Sequence, residues 1–143
     1  MIEIGRTQDI ATCRALRRRV FIEEQGVSEA DEIDDKDDAA IHLLARVDGR
    51  PVGSARLLIL GDTGKIGRVC VLPEARGQGL GAALMRAAVA ELRAHPGVVR
   101  AKLGAQTHAL GFYEGLGFVA QGPVYDDAGL PHRDMVLAFT PAP

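Results

Sequence analysis

The stretch Val69–Met85, VCVLPEARGQGLGAALM, decides how this chain is read. A β-branched run enters Pro73, an arginine and three alternating glycines follow, and a run of helix formers comes after them. Chemically this is strand, bare turn, helix. Gly77, Gly79 and Gly81 leave the backbone without side-chain cover where amide N–H groups point outward. A helix beginning near Gly79 or Leu80 adds the positive end of its dipole to that turn. Such a turn can hold a pyrophosphate through backbone hydrogen bonds.

Three phosphate-binding patterns compete for it. A Walker loop needs GxxxxGK[ST], and no lysine here is followed by Ser or Thr, which excludes it. Gly77-Gln78-Gly79-Leu80-Gly81-Ala82 does match the dinucleotide fingerprint G-x-G-x-x-A. That fold wants an acidic residue about 20 positions further on. The region instead holds Arg100 and Lys102, with no acid between Glu91 and Glu114. An antiparallel meander, rather than the start of a βαβ unit, also precedes the turn.

The surrounding chain supplies that meander. Ile2–Ile4 reads as a short strand, and Thr7 as the N-cap of a helix with apolar positions Ile10, Cys13, Leu16, Val20 and Phe21. The helix should end near Gln25, with Gly26 in the left-handed cap position. Residues 28–38 read as an acidic loop, ordered or partly mobile. Ile41–Val47, the turn Asp48-Gly49 and Pro51–Leu60 form a hairpin. A turn at residues 61–64 leads into a strand over 65–72. Leu80–His95 is a long helix stopped by Pro96-Gly97. A strand over 98–105, a short helix over 107–116, a strand from Phe118, a turn over 126–131 and a strand over 133–139 complete the chain. The order is β-α-β-β-β-α-β-α-β-β: an α/β (α+β) mixed sheet with helices on both faces.

The third pattern takes Arg76-x-x-Gly79-x-Gly81 as the unit. Here the chain resembles the GCN5-related N-acetyltransferases (GNAT), whose Arg/Gln-x-x-Gly-x-Gly/Ala signature grips the pyrophosphate of acetyl-CoA. The later run Ala105–Phe118, AQTHALGFYEGLGF, resembles the A…FYxxxGF element of the same family. FIEEQGV at 21–27, GRVCVLP at 67–73 and YDDAGLPHRDM at 125–135 resemble its small bacterial ElaA-like and YjcF-like branch. The resemblance implies a GNAT fold over residues 1–143 as a single domain. Its mostly antiparallel sheet of six to seven strands should splay between the fourth and fifth.

By the same resemblance, acetyl-CoA is the co-substrate and no metal is needed. The backbone of Val69, Cys70 and Val71 should bond the pantetheine arm, much as an added strand would. Arg76, Gly77, Gln78, Gly79, Leu80 and Gly81 should hold the pyrophosphate, and the glycines are needed because a Cβ would block close approach. Phe112 is assigned to the cofactor-binding set with them. Arg76 is expected to act through its backbone ahead of its side chain. Tyr113 occupies the position of the tyrosine that donates to the CoA sulfur, a phenol that stays protonated at neutral pH. The N–H of Cys70 or Val71 should serve the carbonyl oxygen. Glu23, Glu24, Asp34, His42, His132 and Asp134 are candidate bases, with Glu24 and His132 favoured because they fall in EEQG and PHRDM. Cys70 has no adjacent histidine to lower its pKa, so it reads as a small buried hydrophobe rather than a nucleophile.

Composition narrows the remaining classes. The chain has 143 residues and a net charge of −2, which gives no reason to expect nucleic acid as a partner. Cys13 and Cys70 show no CxxC spacing, so neither a disulfide framework nor a zinc site is expected. No signal architecture or spanning run is present, making the cytoplasm the default location and a membrane partner unexpected. Nine of the 19 acidic residues fall between Glu23 and Asp38, after the run Arg17, Arg18, Arg19. A solvated loop neutralised by those arginines is one account of that clustering. The other is a field that steers a cationic primary amine, small-molecule or peptide, into the cleft. Dimerisation is common in the family, and nothing in the sequence marks an interface. Two functions follow: an N-acetyltransferase in which a primary amine attacks the thioester directly, or a non-catalytic CoA-binding module of the same fold.

Overall fold

A computed structural model describes residues 1–139. The strands are β1 (Ile2–Thr7), β2 (Ile41–Val47), β3 (Arg50–Leu60), β4 (Thr63–Val71), β5 (Arg100–Gln106), β6 (Val119–Asp127) and β7 (Leu130–Ala138). The helices are α1 (Ile10–Arg17), α2 (Glu29–Glu32), α3 (Leu80–Ala94) and α4 (Leu110–Glu114). The strands form one seven-stranded sheet in the order β1-β2-β3-β4-β5-β7-β6. Every pairing is antiparallel except β4 with β5.

Alternation along β2 shows why both faces carry helices, since successive side chains of a strand point to opposite sides. Leu43 and Ala45 join the cluster under α3, with Leu84, Met85, Ala88 and Leu92. Leu44 turns the other way, into a cluster with Cys13, Leu16 and Val20 beneath α1.

Two local expectations need correction. Asp9, not Thr7, caps α1, because its carboxylate accepts from the Thr12 N–H while Thr7 is still in β1. The first helix does not run regularly to Gln25: after Arg17 it widens into a π-helix over Arg18–Glu24. Gly26 does take the left-handed conformation, with φ +75°. The segment 28–38 is also more ordered than a loop, since Ser28 caps α2 and a 3-10 turn spans Asp37–Ala39.

The pairing of β4 with β5 is the feature that positions the site. It runs only from Thr63–Arg100 to Lys65–Lys102 and then stops, while β5 continues alongside β7 to Gln106. Just past that point β4 carries a bulge. Ser54 and Arg56 of β3 face Cys70 and Gly67, so β4 has one residue more than its partner. Arg68 sits in the bulge in a left-handed conformation, φ +52°.

Candidate active site

The splay opens a cavity of about 320 Å³. Its walls include Phe21 and Gln25 from the π-helix, Arg68 and Val69 from β4, His108 and Tyr113 from the β5–α4 region, and Tyr125 and His132 from the last hairpin. Residues from every quarter of the chain therefore meet at one place.

The glycine turn lies on the α3 side. Gly77 and Gly79 have φ of +84° and +76°, and Gly79 is the N-cap of α3. A Cβ on either would meet nothing within 4 Å of the protein, so their requirement for glycine within the chain is conformational. Among the described residues, the amides of Gly77 through Ala82 have no protein acceptor; the first helical bond is Ala83 N–H to Gly79 O. The turn thus presents consecutive unsatisfied donors at the positive end of a 15-residue helix. Phe112, half exposed, stands over it: its ring lies 3.7 Å from where a Gly81 Cβ would be, and its edge meets Tyr113 at 5.0 Å between centroids.

The Arg76 side chain, though exposed, is tied to the protein at both ends of its guanidinium. Its Nε donates to Val71 O at 3.0 Å, and both Nη atoms grip Glu24 at 2.6 Å. The Arg76 guanidinium holds the Glu24 carboxyl below its ordinary pKa, and Glu24 is not among the cavity walls. A carboxylate so paired is a poor proton acceptor, which counts against it as the base.

Of the other candidate bases, Asp34 is bound by Arg56 at 2.7 and 2.9 Å. His42 Nε2 bonds Asp37 O, Asp134 accepts from Tyr125, and Glu23 lies 3.9 Å from Arg18. His132 is different. It lines the cavity and stacks on Tyr125, and its Nδ1 lies 2.8 Å from Leu130 O. A carbonyl only accepts, so Nδ1 carries the proton and Nε2 of the neutral ring keeps its lone pair.

Tyr113 is partly buried against Phe112 and Phe118. Burial raises its pKa, and its hydroxyl has no protein partner among the described residues. Cys70 packs into the cluster beneath α1, 3.4 Å from Ser54 Oγ, and burial raises its thiol pKa. A protonated, enclosed thiol is not a nucleophile. Leu72 N–H bonds Val52 O, and ladder alternation then turns the Cys70 backbone toward β3 and that of Val71 toward the open edge. The 2.8 Å separation of Cys70 O from an ideal Gly53 Cβ agrees with that orientation.

The acidic stretch is largely committed. Arg17, 1% exposed, bonds Glu32 at 2.7 Å and Asp37 at 2.9 and 2.8 Å. Arg56 holds Asp34 and Asp37, and Arg18 holds Glu29. Arg19 turns away to Glu74. The neutralising partners thus include Arg14, Arg17, Arg18, Arg56 and Arg68 rather than the run 17–19 alone. Sequence reasoning passed over Arg56, Arg68 and His108, because their neighbours are brought by other strands. The one local signal was an arginine interrupting the apolar alternation of β4.

The family model for the acetyltransferase (GNAT) domain matches residues 10–139. The Bacillus subtilis (strain 168) protein named "Uncharacterized N-acetyltransferase YjcF" is 34% identical over 122 residues, 85% of this chain and 86% of that protein. The crystal structure of Escherichia coli ElaA superposes with a TM-score of 0.84 at 30% identity, covering 95% of this chain and 99% of that one. An acyl-CoA N-acyltransferase from Pseudomonas aeruginosa superposes with a TM-score of 0.85 at 31% identity, covering 96% and 100%.

Proposed function

The chain belongs to the GNAT acetyltransferase family, and from that membership we propose that it is an N-acetyltransferase that moves an acetyl group from acetyl-CoA to a primary amine. One observation carries this reading furthest. The chain combines unpaired amides at the start of α3 and an open edge of β4 with a cavity at the β4–β5 splay that is lined by Val69, Tyr113 and His132.

The residues fit acyl-CoA. The amides of Gly77–Ala82 suit a pyrophosphate, the glycines leave space above the turn, and Phe112 offers an apolar flank. Bound there, acetyl-CoA supplies an activated thioester carbonyl. Val71 N–H, on the open edge, is the donor available to the carbonyl oxygen. His132 accepts the proton of the attacking amine at Nε2, directly or through water. Tyr113 holds its proton at neutral pH and gives it to the departing sulfur. The Glu24–Arg76 pair braces the π-helix against the pyrophosphate turn, in keeping with a backbone role for Arg76.

The test is thiol release from acetyl-CoA across a library of amines, run beside calorimetric titration with CoA. Turnover with at least one primary amine is expected. CoA binding without turnover of any amine would overturn the enzyme reading in favour of a non-catalytic CoA-binding module.

A further inference from the structure

Arg68 is the one arginine of the cavity wall, and it is held there by unusual means. In regular alternation the β4 side chains beside it would set its direction. The bulge adds a residue, and the left-handed φ of +52° at a non-glycine position is a backbone state L-residues adopt at a cost. The side chain is about three-quarters buried.

Only part of its guanidinium is used. Nη2 donates to Glu32 O at 3.0 Å and approaches Asp31 O and Asp34 Oδ2 at 3.4 Å, capping the end of α2. Nε is enclosed and has no hydrogen-bond partner. Its nearest carboxylate, Glu32, lies 3.6 Å away, a charge contact too long for a hydrogen bond. Nη1 makes no protein hydrogen bond among the described residues. The nearby carboxylates are taken: Glu32 and Asp37 by Arg17, Asp34 by Arg56. Burial, and after it the facing charge of Arg56, lower the Arg68 pKa, while Asp34 and Glu32 oppose the shift.

Around the same cavity stand Asp31, Asp127 and Lys65, which form no ion pair among the described residues, together with the His108 ring and Tyr125, whose hydroxyl donates to Asp134. A volume of about 320 Å³ lies at the small end of ligand sites. We infer that the amine acceptor is a small aminocarboxylate of the amino-acid class, whose carboxylate docks on Arg68 while its amine lies on the His132 side of the cavity. A planar monoanion matches the open edge of one guanidinium. A phosphate dianion would lie among Asp31, Glu32 and Asp127, with Arg68 and the exposed Lys65 set against three carboxylates. This inference rests on the acyltransfer reading and reverses the field argument: the acids steer less than Arg68 selects.

Matched pairs test it: phenylalanine against phenethylamine, ornithine against putrescine, alanine against ethylamine, each with acetyl-CoA. The aminocarboxylate is expected to exceed its decarboxylated partner in kcat/KM by on the order of 10- to 100-fold, the range for a charged hydrogen bond. Arg68→Asn, which tolerates the left-handed backbone, should collapse that ratio toward one, and Arg68→Lys should restore it only in part. Equal or better turnover of the decarboxylated amines would overturn the inference and leave acyl transfer standing. If no amine turns over, titration of phenylalanine, ornithine and alanine into CoA-saturated protein decides it. Binding abolished in Arg68→Asn supports the carboxylate site; no binding overturns it.

Discussion

Tyr113 offers a hydroxyl that no protein group among the described residues uses, with burial raising its pKa. Tyr113→Phe is expected to lower kcat by about 10²-fold, the scale of general acid catalysis, with the KM for acetyl-CoA little changed. An unchanged kcat across pH would remove it from the mechanism. Glu24→Gln separates a brace from a base: loss of the bidentate contact to Arg76 should raise the KM for acetyl-CoA more than it lowers kcat. A collapse of kcat alone would return Glu24 to the chemistry. At this scale the sequence was informative where a residue's function depends on near neighbours. The glycine turn and FYxxxGF are such cases. It favoured Glu24 and His132 among six candidate bases and could not separate those two, because Glu24 is claimed by Arg76, 52 residues away, while His132 uses only Nδ1, on the Leu130 carbonyl of its own strand.

Among the elements, β4 and the start of α3 do most to shape the site. Gly53 on β3 faces the bulge, where a Cβ would come 2.8 Å from Cys70 O and 3.1 Å from Leu84 Cδ1. A backbone carbonyl cannot step aside as a side chain can. Gly53→Ala should therefore cost about 1–3 kcal/mol, as overpacking does, measured by urea denaturation. Gly79→Ala meets no neighbour, yet its φ of +76° imposes a strain of about 1–2 kcal/mol on an L-residue. It should weaken CoA binding in calorimetry, whereas unaltered affinity would separate the turn from the ligand. Hydrophobic period located the long elements well, α3 to within a residue. It could not show the π-helix over Arg18–Glu24, whose apolar spacing is close to that of an ordinary helix. The β4 bulge was equally hidden, because an extra residue shows only against the partner strand.

Across the whole molecule, one ionic cluster ties α1, the segment after α2, β3 and β4 together. Asp37, nearly inaccessible, sits at its centre, with Arg14, Arg17 and Arg56 upon it. Asp37→Asn leaves buried guanidinium charge uncompensated and should cost about 3–5 kcal/mol, read from thermal and urea melts. The arginines hold Asp34 at about 2 and Asp37 lower still, against an ordinary 3.8. Depressed carboxylates stabilise the fold above the unfolded pKa, and that contribution is lost as pH falls through the folded value. Acid unfolding followed by circular dichroism should therefore fall off below pH 4 toward pH 2, with a shallower slope in Asp37→Asn.

By itself the sequence determined the family, the succession of strands and the glycine turn ahead of α3, and it singled out Tyr113, because each is written in residues close along the chain. Only the tertiary structure decided the rest. It consumed most of the acidic stretch in ion pairs, brought Glu24 onto Arg76, left His132 with an open nitrogen and turned Arg68 into the cleft. Those outcomes depend on which strands lie side by side and where one of them bulges. Such relations arise from long-range pairing, which no local pattern of side chains records.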